Sequence, residues 1–213
     1  MLTVALPKGR ILAQAQSLLA SSGLQPADPI AADDRRIVIA CKDAGLRLII
    51  VRAADVQTYV ACGAAQIGLA GRDLLLDNPL AGIYQGPATA LGKCRLAVAA
   101  RADYDYAGRI QRGARVVVAT KYPRLARNHF ARVGVHAEIV RLYGSMELAP
   151  LVGLADLIVD LVETGQTLKA NRLVEVEQIM PICTQVIFNQ GAFLRRRTEL
   201  DAIAAQLAAG ADE

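Results

Sequence analysis

The chain has 213 residues, of which 54% are hydrophobic and 21% charged, with 24 Lys and Arg against 20 Asp and Glu for a net charge of +4. That apolar content fills the core of one large domain or two small ones and excludes a disordered chain. The mild basic excess lacks a basic block, and aromatic residues are 4% with no Trp; this argues against a nucleic-acid partner and suits phosphate-rich small substrates.

Residues 2–6 read as a buried strand. Ile11, Ala15, Leu18 and Leu19 then share one helical face, with Gly23 as a stop signal. Strands are expected at 37–41 and 46–51, a short helix at 55–62 closed by Gly63, and a strand at 67–70. The theme repeats with strands at 96–100 and 116–119 and a helix over 122–133 ending at Gly134. Strands at 136–142, 157–162 and 183–189 follow, then a C-terminal helix over 200–209. Such alternation predicts a mostly parallel α/β architecture with helices covering the sheets. No internal repeat is visible. Gly86-Pro87 and Leu91-Gly92-Lys93 interrupt the pattern and mark a candidate domain boundary.

Cys41, Cys62, Cys94 and Cys183 are widely spaced and form no CxxC pair. They read as reduced thiols, not as a disulfide framework or zinc site. The opening apolar run is too short for a secretion signal, with its basic residues after it instead of before. No stretch is long and apolar enough to span a bilayer. The expectation is a cytoplasmic protein with no membrane and no nucleic-acid partner.

The most informative stretch is 157–168. An apolar strand carries Asp160 near its end, a polar turn containing Glu163, Thr164 and Gly165 follows, and a helix begins around Thr167-Leu168. A helix start offers unpaired N–H groups to phosphate, Gly165 permits close backbone approach, and the threonines add hydroxyls. Asp160 and Glu163 would repel a phosphate but suit ribose hydroxyls or a magnesium ion, so the pattern points to a sugar phosphate. An ordinary helix start capped by Thr167, with Gly165 in a turn, accounts for the same residues.

Around this stretch, Glu147, Gly153, Ala155, Ile158, Asp160-Leu161-Val162 and Thr164-Gly165-Gln166-Thr167-Leu168 resemble the signature of the ATP phosphoribosyltransferase family, with every fixed position filled. Further blocks resemble that family in order. They are Leu6-Pro7-Lys8-Gly9-Arg10, Arg52-Ala53-Ala54-Asp55-Val56, Ile67-Gly68-Leu69-Ala70-Gly71-Arg72-Asp73, Ala119-Thr120-Lys121-Tyr122-Pro123 and Gly144-Ser145-Met146-Glu147-Leu148. One departure is Gln66, where the family commonly has Asp. Gln can replace a capping or structural Asp but not one that touches substrate.

The resemblance implies a fold of two α/β domains of the type II periplasmic-binding-protein-like architecture, with the active site in the inter-domain cleft. Residues 1–90 plus 184–213 would form a discontinuous first domain. Residues 91–183 would form a second, carrying the phosphoribosyl 5′-phosphate loop. With no room for a C-terminal regulatory domain, the chain is similar to the short form of the family. That form is a homodimer and joins a regulatory subunit resembling a histidyl-tRNA synthetase. The implied reaction opens histidine biosynthesis: phosphoribosyl passes from phosphoribosyl pyrophosphate to N1 of the adenine of ATP, with Mg2+ bridging the pyrophosphate. A non-catalytic small-ligand-binding protein on the same scaffold is the rival reading.

For this reaction Asp160, Glu163, Thr164, Gly165, Gln166, Thr167 and Leu168 are assigned to phosphoribosyl pyrophosphate. Asp160 and Glu163 double as the candidate carboxylates near the metal. Lys8, Gly9, Arg10, Gly71, Arg72, Asp73 and Glu147 are assigned to ATP and pyrophosphate. Arg52, where a buried strand stops, is the preferred stabiliser of the leaving group, and Arg36 shares that role. Glu147 reads equally as a helix-start acid. Arg195-Arg196-Arg197 reads as a solvated flank, and His129 and His136 as structural.

Overall fold

The structure is a computed structural model that describes residues 1–21, 23–31 and 35–208. In chain order the elements begin with β1 (Leu2–Pro7), α1 (Arg10–Ser21), β2 (Val38–Ala40), β3 (Leu46–Val51), α2 (Val56–Ala61), β4 (Ile67–Gly71), α3 (Arg72–Asp77) and β5 (Ile83–Ala88). Next come β6 (Cys94–Arg101), α4 (Tyr106–Gln111), β7 (Val116–Thr120), α5 (Pro123–Arg132), β8 (Ala137–Arg141), α6 (Leu148–Leu151), β9 (Leu157–Val162) and α7 (Gln166–Ala170). The chain finishes with β10 (Leu173–Ile182), β11 (Thr184–Asn189), α8 (Gln190–Arg195) and α9 (Arg197–Ala208). Residue 209, expected as the end of the last helix, lies outside the described residues. Two compact units result: Met1–Leu75, Pro79–Lys93 and Cys183–Glu213 form one, and Leu76–Asn78 with Cys94–Ile182 the other.

The first unit is built on a sheet of order β2-β3-β1-β4-β11-β5. All six residues of β1 are buried because the strand is interior and both its faces are covered. Leu2, Val4 and Leu6 face one core with Ala15 and Leu19 of α1 and Leu200 and Leu207 of α9. Ala5 turns to the other, with Val56 and Val60 of α2 and Ile187 of β11. This is the period-two alternation of a strand serving two layers. The second unit has the order β10-β6-β9-β7-β8, and Ala97, Ala119, Ile158, Val162 and Leu168 share its core.

The sheets are mixed, which corrects the expectation of a mostly parallel architecture. Among the described strands four pairings are parallel and five antiparallel. Two edge strands escaped the sequence reading. In β5 the Gly86-Pro87 pair looked like a break, yet an edge strand tolerates Pro on its open side. In β10 register shifts between Glu175 and Glu177 and between Gln178 and Met180 spoil the alternation that marks a strand.

One local device recurs although no repeat is visible in the sequence. Gln66, just before β4, accepts the Thr3 N–H of neighbouring β1 through its side-chain oxygen at 2.9 Å. Asp156, just before β9, accepts the Val117 N–H of neighbouring β7 in the same way at 2.8 Å. Gln66 also donates from Nε2 to Gly63 O at 3.1 Å. It therefore fastens the starts of β1 and β4, so Gln66 has the structural partners that a capping or structural Asp would have. Gln66→Ala strands the buried Thr3 amide and is expected to lower stability by about 1–3 kcal/mol. Urea unfolding measures this, and activity per folded molecule should hold.

Candidate active site

In the first unit β3, β1 and β4 run parallel and end along the same edge. Pro7 pairs with Val51, so Lys8 and Arg52 emerge side by side, and Lys8 N–H donates to Val51 O at 2.7 Å. Arg72 follows β4 at the same edge. Carboxyl ends of parallel strands are where open α/β sheets place their ligands. Gly9 opens α1, its carbonyl accepting Ala13 N–H at 3.1 Å. A cavity of about 280 Å³ beside this turn is lined by Lys8, Gly9, Arg10 and Arg36, with Ile30 and Ile50 as apolar walls. Four expected site residues therefore meet around one concavity. Arg36 is steadied there by Pro29 O at 2.9 Å and Asp28 at 3.3 Å.

Arg52 and Arg72 are exposed, and among the described residues the Arg52 guanidinium has no hydrogen-bond or ion-pair partner. Asp73, by contrast, is buried in the first turn of α3. A Cβ at Gly71 would lie 2.2 Å from Asp73 Oδ1, so a larger residue there must displace the Asp73 carboxylate. Gly71 and Asp73 shape the turn that presents Arg72.

In the second unit the parallel strands β7 and β9 deliver the other half of the candidates. The buried Thr120 hydroxyl donates to Val159 O at 2.6 Å and accepts Tyr122 N–H at 2.9 Å, locking the two strand ends together. Lys121 stands next to it, 3.8 Å from Asp160 and 4.9 Å from the centre of the Tyr122 ring. Asp160 Oδ1 accepts the Leu161 N–H at 2.8 Å.

Beyond Val162 the chain turns through Glu163 and Thr164, both exposed, to Gly165 at φ 76° and ψ 3°. Gly165, and not Thr167, is the N-cap of α7, and no side chain caps it. Among the described residues the Thr164 hydroxyl reaches only Gln166 N–H, at 3.4 Å. Among the described residues the amide N–H groups of Gly165, Thr167 and Leu168 meet no acceptor. With α7 only five residues long, these amides, more than any helix dipole, make the turn receptive to an anion. Leu168 is buried in the core, so its side chain faces away from any ligand at the turn and only its backbone is offered. Glu147, half-buried, is the N-cap residue of α6 and makes no side-chain capping bond, so it stands at a helix start, where an acid suits the dipole.

Three residues near this turn had no role assigned from sequence. Lys121 follows a strand end just as Arg52 does, a signal that was available. Arg95 and Glu175 were not, because their meeting depends on β10, which was not read as a strand. His129 is buried, 3.3 Å from Glu177 and edge-on to Phe130 at 5.1 Å. Tyr106 donates a short hydrogen bond to the same Glu177 carboxylate, and burial pushes its phenol well above the usual range. Arg196 and Arg197 pair with Glu199 and Asp201 on the exposed flank of α9. The cysteines are free, and burial, aided by Asp43, pushes the Cys41 thiol up. Among the described residues no helix is long and apolar enough to cross a membrane. No group of three or more His, Cys, Asp or Glu among them could hold a metal ion.

The architecture defines the class: two α/β units of the kind found in periplasmic binding proteins. It matches the aliphatic sulphonate binding protein SsuA from Escherichia coli with a TM-score of 0.63 at 10% identity, over 97% of this chain and 70% of that one. Within that class the chain belongs to the ATP phosphoribosyltransferase family, whose model matches residues 52–209. It is 52% identical to the ATP phosphoribosyltransferase of Burkholderia vietnamiensis (strain G4 / LMG 22486) over 93% of this chain and 91% of that one. It is 53% identical to that of Nitrosospira multiformis, over 92% and 86%. The ATP phosphoribosyl transferase (HisG:HisZ) complex from Thermotoga maritima contains a similar chain, with a TM-score of 0.78 at 31% identity over 97% of this chain and 96% of that one.

Proposed function

We propose that this chain catalyses the opening step of histidine biosynthesis, joining ATP to phosphoribosyl pyrophosphate through N1 of the adenine. Adenine N1 forms a bond to the ribose anomeric carbon, the bond from that carbon to the pyrophosphate oxygen breaks, and pyrophosphate leaves. Family membership supports the reaction. The observation that carries the site reading is the Gly165 turn, with three amides that lack acceptors among the described residues and a carboxylate, Asp160, upstream on the strand.

No covalent nucleophile is needed. The chain must hold two polyanions and stabilise charge on the leaving group. The 163–168 turn takes the 5′-phosphate through its backbone and the Thr164 and Thr167 hydroxyls, while Asp160 and Glu163 accept from the ribose hydroxyls. Lys8, Gly9 and Arg10, with Gly71, Arg72 and Asp73 forming the neighbouring turn, receive the ATP and pyrophosphate oxygens. Arg52, assisted by Arg36, faces the departing pyrophosphate. Glu147 orients a substrate hydroxyl.

The family's reaction requires a divalent metal, and magnesium fits these residues best. Among the described residues no cluster of protein ligands could hold it alone, so the ion would be held together with the substrate phosphates, with one or two protein carboxylates. Asp160 and Glu163 are the carboxylates offered, and the ion would neutralise charge on the leaving group. The reading includes a homodimer and a mixed complex with a regulatory subunit resembling a histidyl-tRNA synthetase. The name of the Thermotoga maritima complex supports the latter.

An absorbance assay for phosphoribosyl-ATP, with pyrophosphatase to draw the reaction forward, tests the proposal. Signal is expected only when ATP, phosphoribosyl pyrophosphate and magnesium are all present. Silence from folded protein, even with the regulatory subunit added, would leave a small-ligand-binding protein as the better account.

A further inference from the structure

The turn that faces the 5′-phosphate is tied down from outside. Arg95 is the second residue of β6 and lies in register with Val162, the last residue of β9 before the turn. Its Nη1 donates to the Glu163 carbonyl at 3.0 Å. Its other two nitrogens face one carboxylate: Nε lies 2.8 and 3.0 Å from the two Glu175 oxygens, and Nη2 lies 2.5 Å from one of them. Both side chains are partly sheltered, at 32% and 25% exposure. Glu175 comes from β10, at the register shift that interrupts its ladder with β6. Bulges of this kind commonly re-aim a side chain.

A bidentate carboxylate fixes the plane of a guanidinium. Once Nε and Nη2 are committed to Glu175, the plane in which Nη1 donates is fixed, and one of its N–H groups ends on the turn. Leu168 holds the other end by its burial in the core. Between these anchors, Gly165 has no side-chain cap, and the Thr164 contact at 3.4 Å is weak. The Gly165 carbonyl accepts Lys169 N–H at 3.0 Å, which ties the far side of the turn to α7. We infer that Arg95 and Glu175 are a positioning pair: they act through the Glu163 carbonyl to keep the 163–168 amides aimed at the 5′-phosphate. This rests on the assignment of that turn to the phosphoribosyl group.

The test separates the two ends of phosphoribosyl pyrophosphate. Ribose 5-phosphate probes the turn, and inorganic pyrophosphate probes the cationic strand ends. Affinities for each are measured by titration calorimetry on the purified full-length chain with magnesium, for Arg95→Lys, Glu175→Gln and Thr164→Ala. Lys keeps the charge but cannot span Glu175 and the carbonyl in one plane. Gln keeps the shape of Glu175 but loses the ion pair. Both are expected to weaken ribose 5-phosphate about tenfold, the scale of one charge-assisted hydrogen bond. Pyrophosphate affinity and the KM for ATP should hold, and kcat should fall less than the KM for phosphoribosyl pyrophosphate rises.

A merely structural ion pair would instead weaken both probes alike or neither, and either result overturns the inference. If Thr164→Ala weakens ribose 5-phosphate while the two anchor variants do not, the positioning role is wrong and the turn assignment stands. If none of the three does, the turn assignment has failed and the positioning role with it. Should Arg95→Lys not fold, Glu175→Gln decides alone.

Discussion

Arg52→Ala is expected to lower kcat by about 10²–10³-fold, the scale seen when one preorganised donor to a developing charge is removed. The parallel pairing of β1 with β3 places this residue beside Lys8 at the end of a buried strand. The Asp55 N–H donates to the Arg52 carbonyl at 2.9 Å, turning the chain toward α2. The backbone is thus fixed while the guanidinium stays exposed and, among the described residues, without a partner. Truncation therefore leaves no orphaned carboxylate behind, and the stability change should stay within about 0.5 kcal/mol. Lost turnover would then reflect chemistry and not folding. Lys8 remains nearby, so ground-state binding of the polyanions should suffer less than the transition state. Arg52→Lys is expected to fall between wild type and Ala, because a point charge replaces a planar fork. Steady-state kinetics with both substrates varied decide the matter. A change confined to KM would show that Arg52 binds without assisting departure of the leaving group.

How far such roles could be read from the sequence depends on the range of the interaction. Residues 157–162 stood out as a strand because β9 is interior and five apolar residues frame Asp160. The 2–6 strand was visible for the same reason. Lys8 and Arg10 are marked by Gly9 between them immediately after a strand, and Arg52 by standing where a buried strand stops, both purely local signals. Arg36 stands beside the strand expected at 37–41, but its meeting with Lys8 and Arg10 around one cavity depends on the fold. Lost from view were the features made by pairing: β5 and β10, and with β10 the Arg95–Glu175 contact. The helix cap at Gly165 was placed two residues late because Thr167 has the commoner capping chemistry. The left-handed backbone at Gly165 needs no side chain, so nothing in the residue types singled it out over a simple turn. The partner of Gln66 was equally hidden, since Thr3 lies 63 residues away.

Gly165→Val should lower affinity for phosphoribosyl pyrophosphate by about 10²-fold, as expected when several oriented phosphate contacts are lost together, with a much smaller effect on ATP. The cause is backbone conformation and not crowding. A Cβ at this position would meet nothing nearer than Val162 Cγ1 at 3.9 Å. At φ 76°, however, a β-branched residue is strained by roughly 1–3 kcal/mol. That strain is small enough for the protein to remain folded and large enough for the turn to find another shape. Once it does, the amides of Gly165, Thr167 and Leu168 no longer converge, and the 5′-phosphate loses them together. A graded series isolates this mechanism. Asn visits the left-handed region more readily than other non-glycine residues, so Gly165→Asn should keep most of the affinity. Gly165→Ala should lie between Asn and Val. The order Asn, Ala, Val follows left-handed cost and not polarity or volume alone. Direct binding of phosphoribosyl pyrophosphate to the three variants, each checked for folding by thermal melt, reads the order out. Unchanged affinity in a folded Gly165→Val protein would remove the turn from the phosphoribosyl site, and loss of ATP binding to the same degree would mean that it serves both substrates.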